Sequence, residues 1–301
     1  MKNNFLKILA CLIIACALIS SGCTSEDNAS DTESTAEDTT QEAVKIGIVQ
    51  WDDSRATGSV FTQILDESEY EYETVEGADL GALYQATAQG DIDVLIQAWL
   101  PATQAPYWDK YNDSLVQAQV IASGAKCGLV VPEYVPINTI EELKGNASKF
   151  DGQISGIEPG AGIMQNTESC IVDYELEEYE LYSSSTVGMV TELQDKINNE
   201  EWVVVTLWRP HWSFARIDGL KFLEDSKGEY GGSDDLIILT RTGFEEDNPE
   251  FYQIIQNFEM DLSDIESIMI AIDEGQTPDE AAAAWLAENP EKINEVIGTQ
   301  E

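Results

Sequence analysis

"DLGALYQATAQGDIDVLIQAW", residues 79–99, holds two different periods side by side, and from them the fold can be read. Its first half reads as a helix stopped by Gly90, and its second half as an apolar strand that ends on Trp99. The same unit recurs in both directions. Upstream, "VKIGIVQ" (44–50) reads as a strand, "TGSVFTQILDES" as a helix and "YEYETVE" as a strand. Downstream come "GQISGIE", a helix over about residues 162–174, "YELYSSS", the helix "TVGMVTELQDKINN" and the strand "EWVVVTLW". This alternation predicts an α/β fold with parallel sheets covered by helices. Two extended runs stand apart, "CGLVVPEY" (127–134) and "DLIILTRTGF" (235–244). They bracket the middle block and are expected to carry the chain into a second lobe and back. The expected lobes are 44–128 with 236–301, and 129–235. From Asn248 the tail reads as three helices.

The N-terminus places the protein. Lys2 and Lys7 precede an apolar stretch over residues 8–19, too short to span a bilayer comfortably, followed by Ser20-Ser21-Gly22-Cys23. Residues 1–23 therefore read as a lipoprotein-type signal peptide with Cys23 as the lipid site; an uncleaved anchor is the alternative. Residues 24–43 are acidic and hydroxyl-rich, a solvated tether.

Composition narrows the partners. Asp and Glu number 57 against 15 Lys and Arg, a formal charge of −42. Such a surface repels phosphate backbones, which argues against nucleic acid, and it suits solubility in concentrated salt. Beyond the leader only Cys127 and Cys170 remain, as a pair or as two buried thiols, and no metal-ligand spacing occurs. A single histidine, His211, rules out a His-based metal site. No nucleophile motif or phosphate loop is present, so no catalytic set and no cofactor are expected.

In open α/β sheets ligands bind beyond the carboxyl ends of strands. Three separate strands here end in a tryptophan: Trp51, Trp99 and Trp208. One such residue is ordinarily packing, and Trp108, Trp202, Trp212 and Trp285 are read that way. Three at equivalent strand ends converge on one cleft. A box of indole faces suits a quaternary ammonium, which has no N–H to donate, and each ring contributes roughly 0.5–2 kcal/mol. Asp52 either leans toward such a cation or is incidental, and Asp53 is expected to cap the following helix. After "GQISGIE" the turn Pro159-Gly160-Ala161-Gly162 leads into a helix, whose N-terminal amides, Gly162 and Ile163, suit an anion. A plain turn is the other reading of that segment. Cation box and anion nest together describe a zwitterion such as glycine betaine.

At this point the sequence resembles the glycine betaine-binding subunits of ABC importers for compatible solutes, over about residues 44–298. The segments that carry the likeness are "DLGALYQATAQGDIDVLIQAWLPAT", "GIEPGAGIM", "VVVTLWRPHWSFA" and "EYGGSDDLIILTRTGF". The resemblance implies a two-lobed venus-flytrap fold of the type II periplasmic-binding-protein class with two crossover strands. It also implies a tryptophan prism on Trp51, Trp99 and Trp208 and a carboxylate held by the Gly162 and Ile163 amides. A histidine that contacts the carboxylate in some members is replaced by Gln104, which still donates a hydrogen bond. Arg209 stands where a small polar residue is common. The implied role is an extracytoplasmic, membrane-tethered binding protein that delivers glycine betaine to a permease and its ATPase for osmoprotection. The competing readings are the same fold on choline, carnitine or proline betaine, an extracytoplasmic enzyme using the Asp52–Asp53 pair on a methylated amine, and an acidic stalk or adhesion protein.

Overall fold

Nine strands run through the residues described by the structure, a computed structural model that covers 42–68 and 70–298. The expected signal peptide, Cys23 and nearly all of the tether lie outside those residues. The strands are β1 (Val44–Val49), β2 (Tyr72–Gly77), β3 (Val94–Leu100), β4 (Leu115–Pro132), β5 (Gln153–Ser155), β6 (Glu180–Tyr182), β7 (Val205–Arg209), β8 (Leu220–Phe222) and β9 (Asp234–Arg241). Their order is β2-β1-β3-β9-β4-β7-β5-β6, with β8 alongside β4. The helices are α1 (Asp52–Leu65), α2 (Leu80–Gln89), α3 (Ala105–Tyr111), α4 (Gly162–Asp173), α5 (Thr186–Asn198), α6 (Ser213–Arg216), α7 (Phe244–Asp247), α8 (Pro249–Gln256), α9 (Leu262–Asp273), α10 (Pro278–Glu288) and α11 (Glu291–Ile297). Four helices, not three, follow Asn248, because Pro290 separates α10 from α11.

The βαβ units are parallel: β1 with β2 and β3, and β5 with β6 and β7. The two runs set apart from those units fall in β4 and β9, which run antiparallel to their neighbours. A parallel return needs a long crossover. The stretch through α3 supplies one: Val94 of β3 and Leu115 of β4 lie level, facing Thr240 and Arg241 of β9, so β3 and β4 run parallel with the reversed β9 between them. β4 is also much longer than the run "CGLVVPEY". Up to Ala125 it pairs with β9, and from Lys126 it pairs with β7. It thereby links a first arm, β2-β1-β3-β9, to a second arm, β7-β5-β6.

Every residue of β3 is buried, as befits a strand covered on both faces. α2 starts where the Asp79 carboxylate accepts from the Ala82 amide, and it stops at Gly90, whose φ of 81° is the left-handed cap. α1 lies close on β1, since a Cβ at Gly58 would come within 2.7 Å of Ile48. Cys127 and Cys170 are both buried free thiols.

Candidate ligand-binding site

Where the two arms meet, a small cavity lies beyond the ends of β1, β3 and β7. Three tryptophans line it, Trp51 after β1, Trp99 in β3 and Trp208 in β7, only 9%, 3% and 4% exposed. β1 and β3 run parallel and end on the same side of their sheet, which brings Trp51 and Trp99 together, and Trp208 meets them from β7 in the second arm. Gln104, Gly162 and Ile163 line the same cavity. Six of the seven residues expected at a ligand site thus stand around one space.

Asp52 is the exception. Its carboxylate accepts from the Trp212 indole N–H at 3.3 Å and does not line the cavity. Asp53 does. The two open α1, and one residue of helix turns a side chain by about 100°, which sends neighbours to different places. Nor does Asp53 cap α1, which has no side-chain cap. Instead its Oδ2 accepts from the Gln97 side-chain amide, while its Oδ1 is buried without a partner. Gln97 reaches it from a bulge in β3, between Leu95 and Ala98, with a φ of 68°. Burial, with the Asp52 charge adding to it, pushes the Asp53 carboxyl up to about 7. A bound cation would favour its ionised form.

Part of the cavity wall is polar backbone. Gly162 and Ile163 open α4, where the first amides have no intrahelical acceptor and the helix dipole is positive. Gln104 is oriented by a buried partner: its Oε1 accepts from the Tyr84 hydroxyl at 2.8 Å, which leaves the NH2 end to donate. The two arms touch closely here. A Cβ at Gly162 would sit 2.0 Å from the Thr103 carbonyl oxygen, so only glycine permits this approach. The Tyr107 hydroxyl also donates to the Gly160 carbonyl at 2.5 Å.

Behind the indoles, ring contacts run from Trp208 to His211 at 4.8 Å and from His211 to Trp212 at 5.3 Å. His211 therefore stands between the two tryptophans. Its Nδ1 accepts from the Ser213 amide at 3.1 Å, so it orients the turn, and burial pushes its pKa down to about 3. Arg209 stacks on Phe214 at 4.2 Å and is absent from the cavity lining. Thr103, Cys127, Ile157 and Ala161 also line the cavity but carry no sequence signal that sets them apart. Burial raises the Cys127 thiol well above its usual range, so it is no thiolate at neutral pH. Indole faces, one buried carboxyl and helix-end amides make a receptor for a small cation with an anionic tail. Among the described residues no group of His, Cys, Asp or Glu is placed to hold a metal, and no helix is long and apolar enough to cross a membrane.

Over residues 42–288 the chain matches the family described as the substrate binding domain of ABC-type glycine betaine transport systems. The glycine betaine/carnitine transport binding protein GbuC of Listeria monocytogenes is 36% identical over 186 residues, 61% of this chain. The match spans 60% of that protein's own length. Lactococcal OpuAC, solved closed and complexed with glycine betaine, is 35% identical with a TM-score of 0.81, covering 85% of this chain and 99% of its own. ProX of Borrelia burgdorferi, a glycine betaine and L-proline transport protein, is 33% identical with a TM-score of 0.82, covering 86% and 98%. A choline-binding protein of an ABC transporter, solved with choline, is 26% identical with a TM-score of 0.79, covering 85% and 91%. The fold is the mixed α/β fold of type II periplasmic binding proteins.

Proposed function

The chain belongs to the family of substrate-binding domains of ABC-type glycine betaine transport systems, and from that membership we propose that it captures glycine betaine outside the cytoplasmic membrane and delivers it to a permease and its ATPase. The observation that carries this reading is a single cavity lined both by three indoles and by the first two residues of α4. The trimethylammonium sits among Trp51, Trp99 and Trp208, where three faces together contribute about 1.5–6 kcal/mol. The carboxylate sits on the Gly162 and Ile163 amides, with the Gln104 amide as a third donor.

The same site accounts for closure. Trp51, Trp99 and Gln104 belong to the first arm, and Gly162, Ile163 and Trp208 to the second, so a ligand that engages both favours the closed state. The arms are read as lobes of 44–128 with 236–301, and 129–235. Cys23 is read as the lipid anchor that keeps the domain at the outer face of the membrane.

Choline is the second reading, favoured by Asp53. Asp53 lines the cavity and has a buried carboxylate oxygen without a partner, an acceptor suited to choline's hydroxyl. Titrating the domain in high salt with glycine betaine and then choline, followed by tryptophan fluorescence and calorimetry, separates the two. A saturable response to glycine betaine, lost in Trp208→Ala, supports the first reading. A response to choline alone removes the carboxylate subsite, and silence to both sinks the proposal.

A further inference from the structure

The turn between β3 and α3, which carries Thr103 and Gln104 into the cavity, is held from a distant part of the chain. Asp234, the first residue of β9 and 2% exposed, accepts three hydrogen bonds from it. The donors are the Ala102 amide at 2.6 Å, the Thr103 amide at 3.1 Å and the Thr103 hydroxyl. Three donors from one turn compensate a buried carboxylate and fix the turn's orientation. Asp234 also pairs with Ala125, the last β4 residue to pair with β9 before the strand passes to β7. On its other side the turn meets the second arm. The Thr103 carbonyl lies against Gly162, and Ala102 lies against Gly231, where a Cβ would come within 2.1 Å of the Ala102 Cβ.

We propose that Asp234 is a positioning residue for the closed complex: it seats the 102–104 turn so that the Thr103 carbonyl meets Gly162 and the Gln104 amide faces the anionic end of the ligand. It sits where β4 changes partners and touches no ligand itself, since it is absent from the cavity lining. Its loss shortens the life of the closed complex and leaves the first encounter with ligand unchanged. This inference rests on the glycine betaine reading.

Stopped-flow tryptophan fluorescence with glycine betaine tests it, on the wild-type domain, Asp234→Asn, Thr103→Val and the double variant. Asp234→Asn keeps the size but replaces one acceptor oxygen with an NH2, which cannot accept from the Ala102 or Thr103 amide. The dissociation rate is expected to rise about 10- to 100-fold in Asp234→Asn and about 3- to 10-fold in Thr103→Val, with association within about threefold of wild type. The double variant should dissociate no faster than Asp234→Asn, because the carboxylate that Thr103 addresses is already gone. Dissociation within twofold of wild type in both single variants overturns the proposal. So do effects that multiply in the double variant, or a loss confined to association. If the wild-type domain answers choline but not glycine betaine, the same rates are read with choline; silence to both refutes the ligand reading and the proposal with it.

Discussion

Gly162→Ala separates closure from folding more cleanly than any other single change at this site. The added Cβ would stand 2.0 Å from the Thr103 carbonyl oxygen and 2.8 Å from its carbon, with the Thr103 methyl at 3.0 Å. The first two are backbone atoms, so no rotamer change relieves them. Ordinary contact lies near 3.5–4.0 Å, so the arms must separate by more than about 1 Å. Overpacking of this kind costs about 1–3 kcal/mol. At 1.4 kcal/mol per tenfold, glycine betaine affinity should fall roughly 5- to 150-fold. The helix itself gains, since Gly162 is the first residue of α4 and alanine is the better helix former by up to about 1 kcal/mol. Calorimetric titration should show the weaker Kd, while thermal unfolding without ligand should give a Tm equal to or above wild type. Binding within twofold of wild type would refute the steric argument. A ligand-free Tm lowered in step with affinity would show that the contact belongs to the resting fold and not to closure.

Tyr84→Phe removes the hydroxyl that orients Gln104. It should weaken glycine betaine about two- to tenfold while leaving choline binding unchanged, measured by parallel titrations. Asp53 binds its proton more tightly folded than unfolded, because burial lifts its pKa from 3.8 to about 7. Between those values the native state holds a proton that the unfolded state has released, so this group's contribution to stability falls as pH rises from about 4 to 7. The difference in unfolding free energy between wild type and Asp53→Asn, measured without ligand from pH 4 to 8, should therefore shift toward the variant by a few kcal/mol, on the order expected from linkage. A pH-independent difference would show that Asp53 is ionised throughout. Trp99→Leu should weaken glycine betaine by about 0.5–2 kcal/mol beyond any change in apolar packing. Titrating the neutral tert-butyl analogue of the trimethylammonium alongside checks this, since it should lose less.

Periodicity made the βαβ units legible, because strands covered on both faces must be apolar throughout and helices must repeat every 3.6 residues. The first half of β4 escaped that reading. Gln117 and Gln119 interrupt its apolar positions, and Val116 and Val120 stay exposed, so it looks like a loop until β9 pairs with it. The direction of β4 and β9 was also hidden. β9 returns from the second arm and slots between β3 and β4, a pairing of segments distant in the chain that local pattern does not carry.

At the site, the tryptophans were visible as a set because an aromatic at a strand end has few other uses when it recurs three times. The glycine turn before α4 was visible because backbone amides need no side chain to act. Which of two adjacent aspartates faces the cavity depends on helix phase, set by where α1 begins against β1. The bond from Tyr84 to Gln104 and the three from the 102–103 turn to Asp234 join residues 20 and more than 130 positions apart. Local sequence thus determined the elements, the indoles and the glycine turn into α4, since each follows from neighbouring residues. Only the tertiary structure decided the partners of Asp53, Gln104 and Asp234, because a buried polar group takes whichever donor or acceptor the packing of distant elements brings within 3 Å.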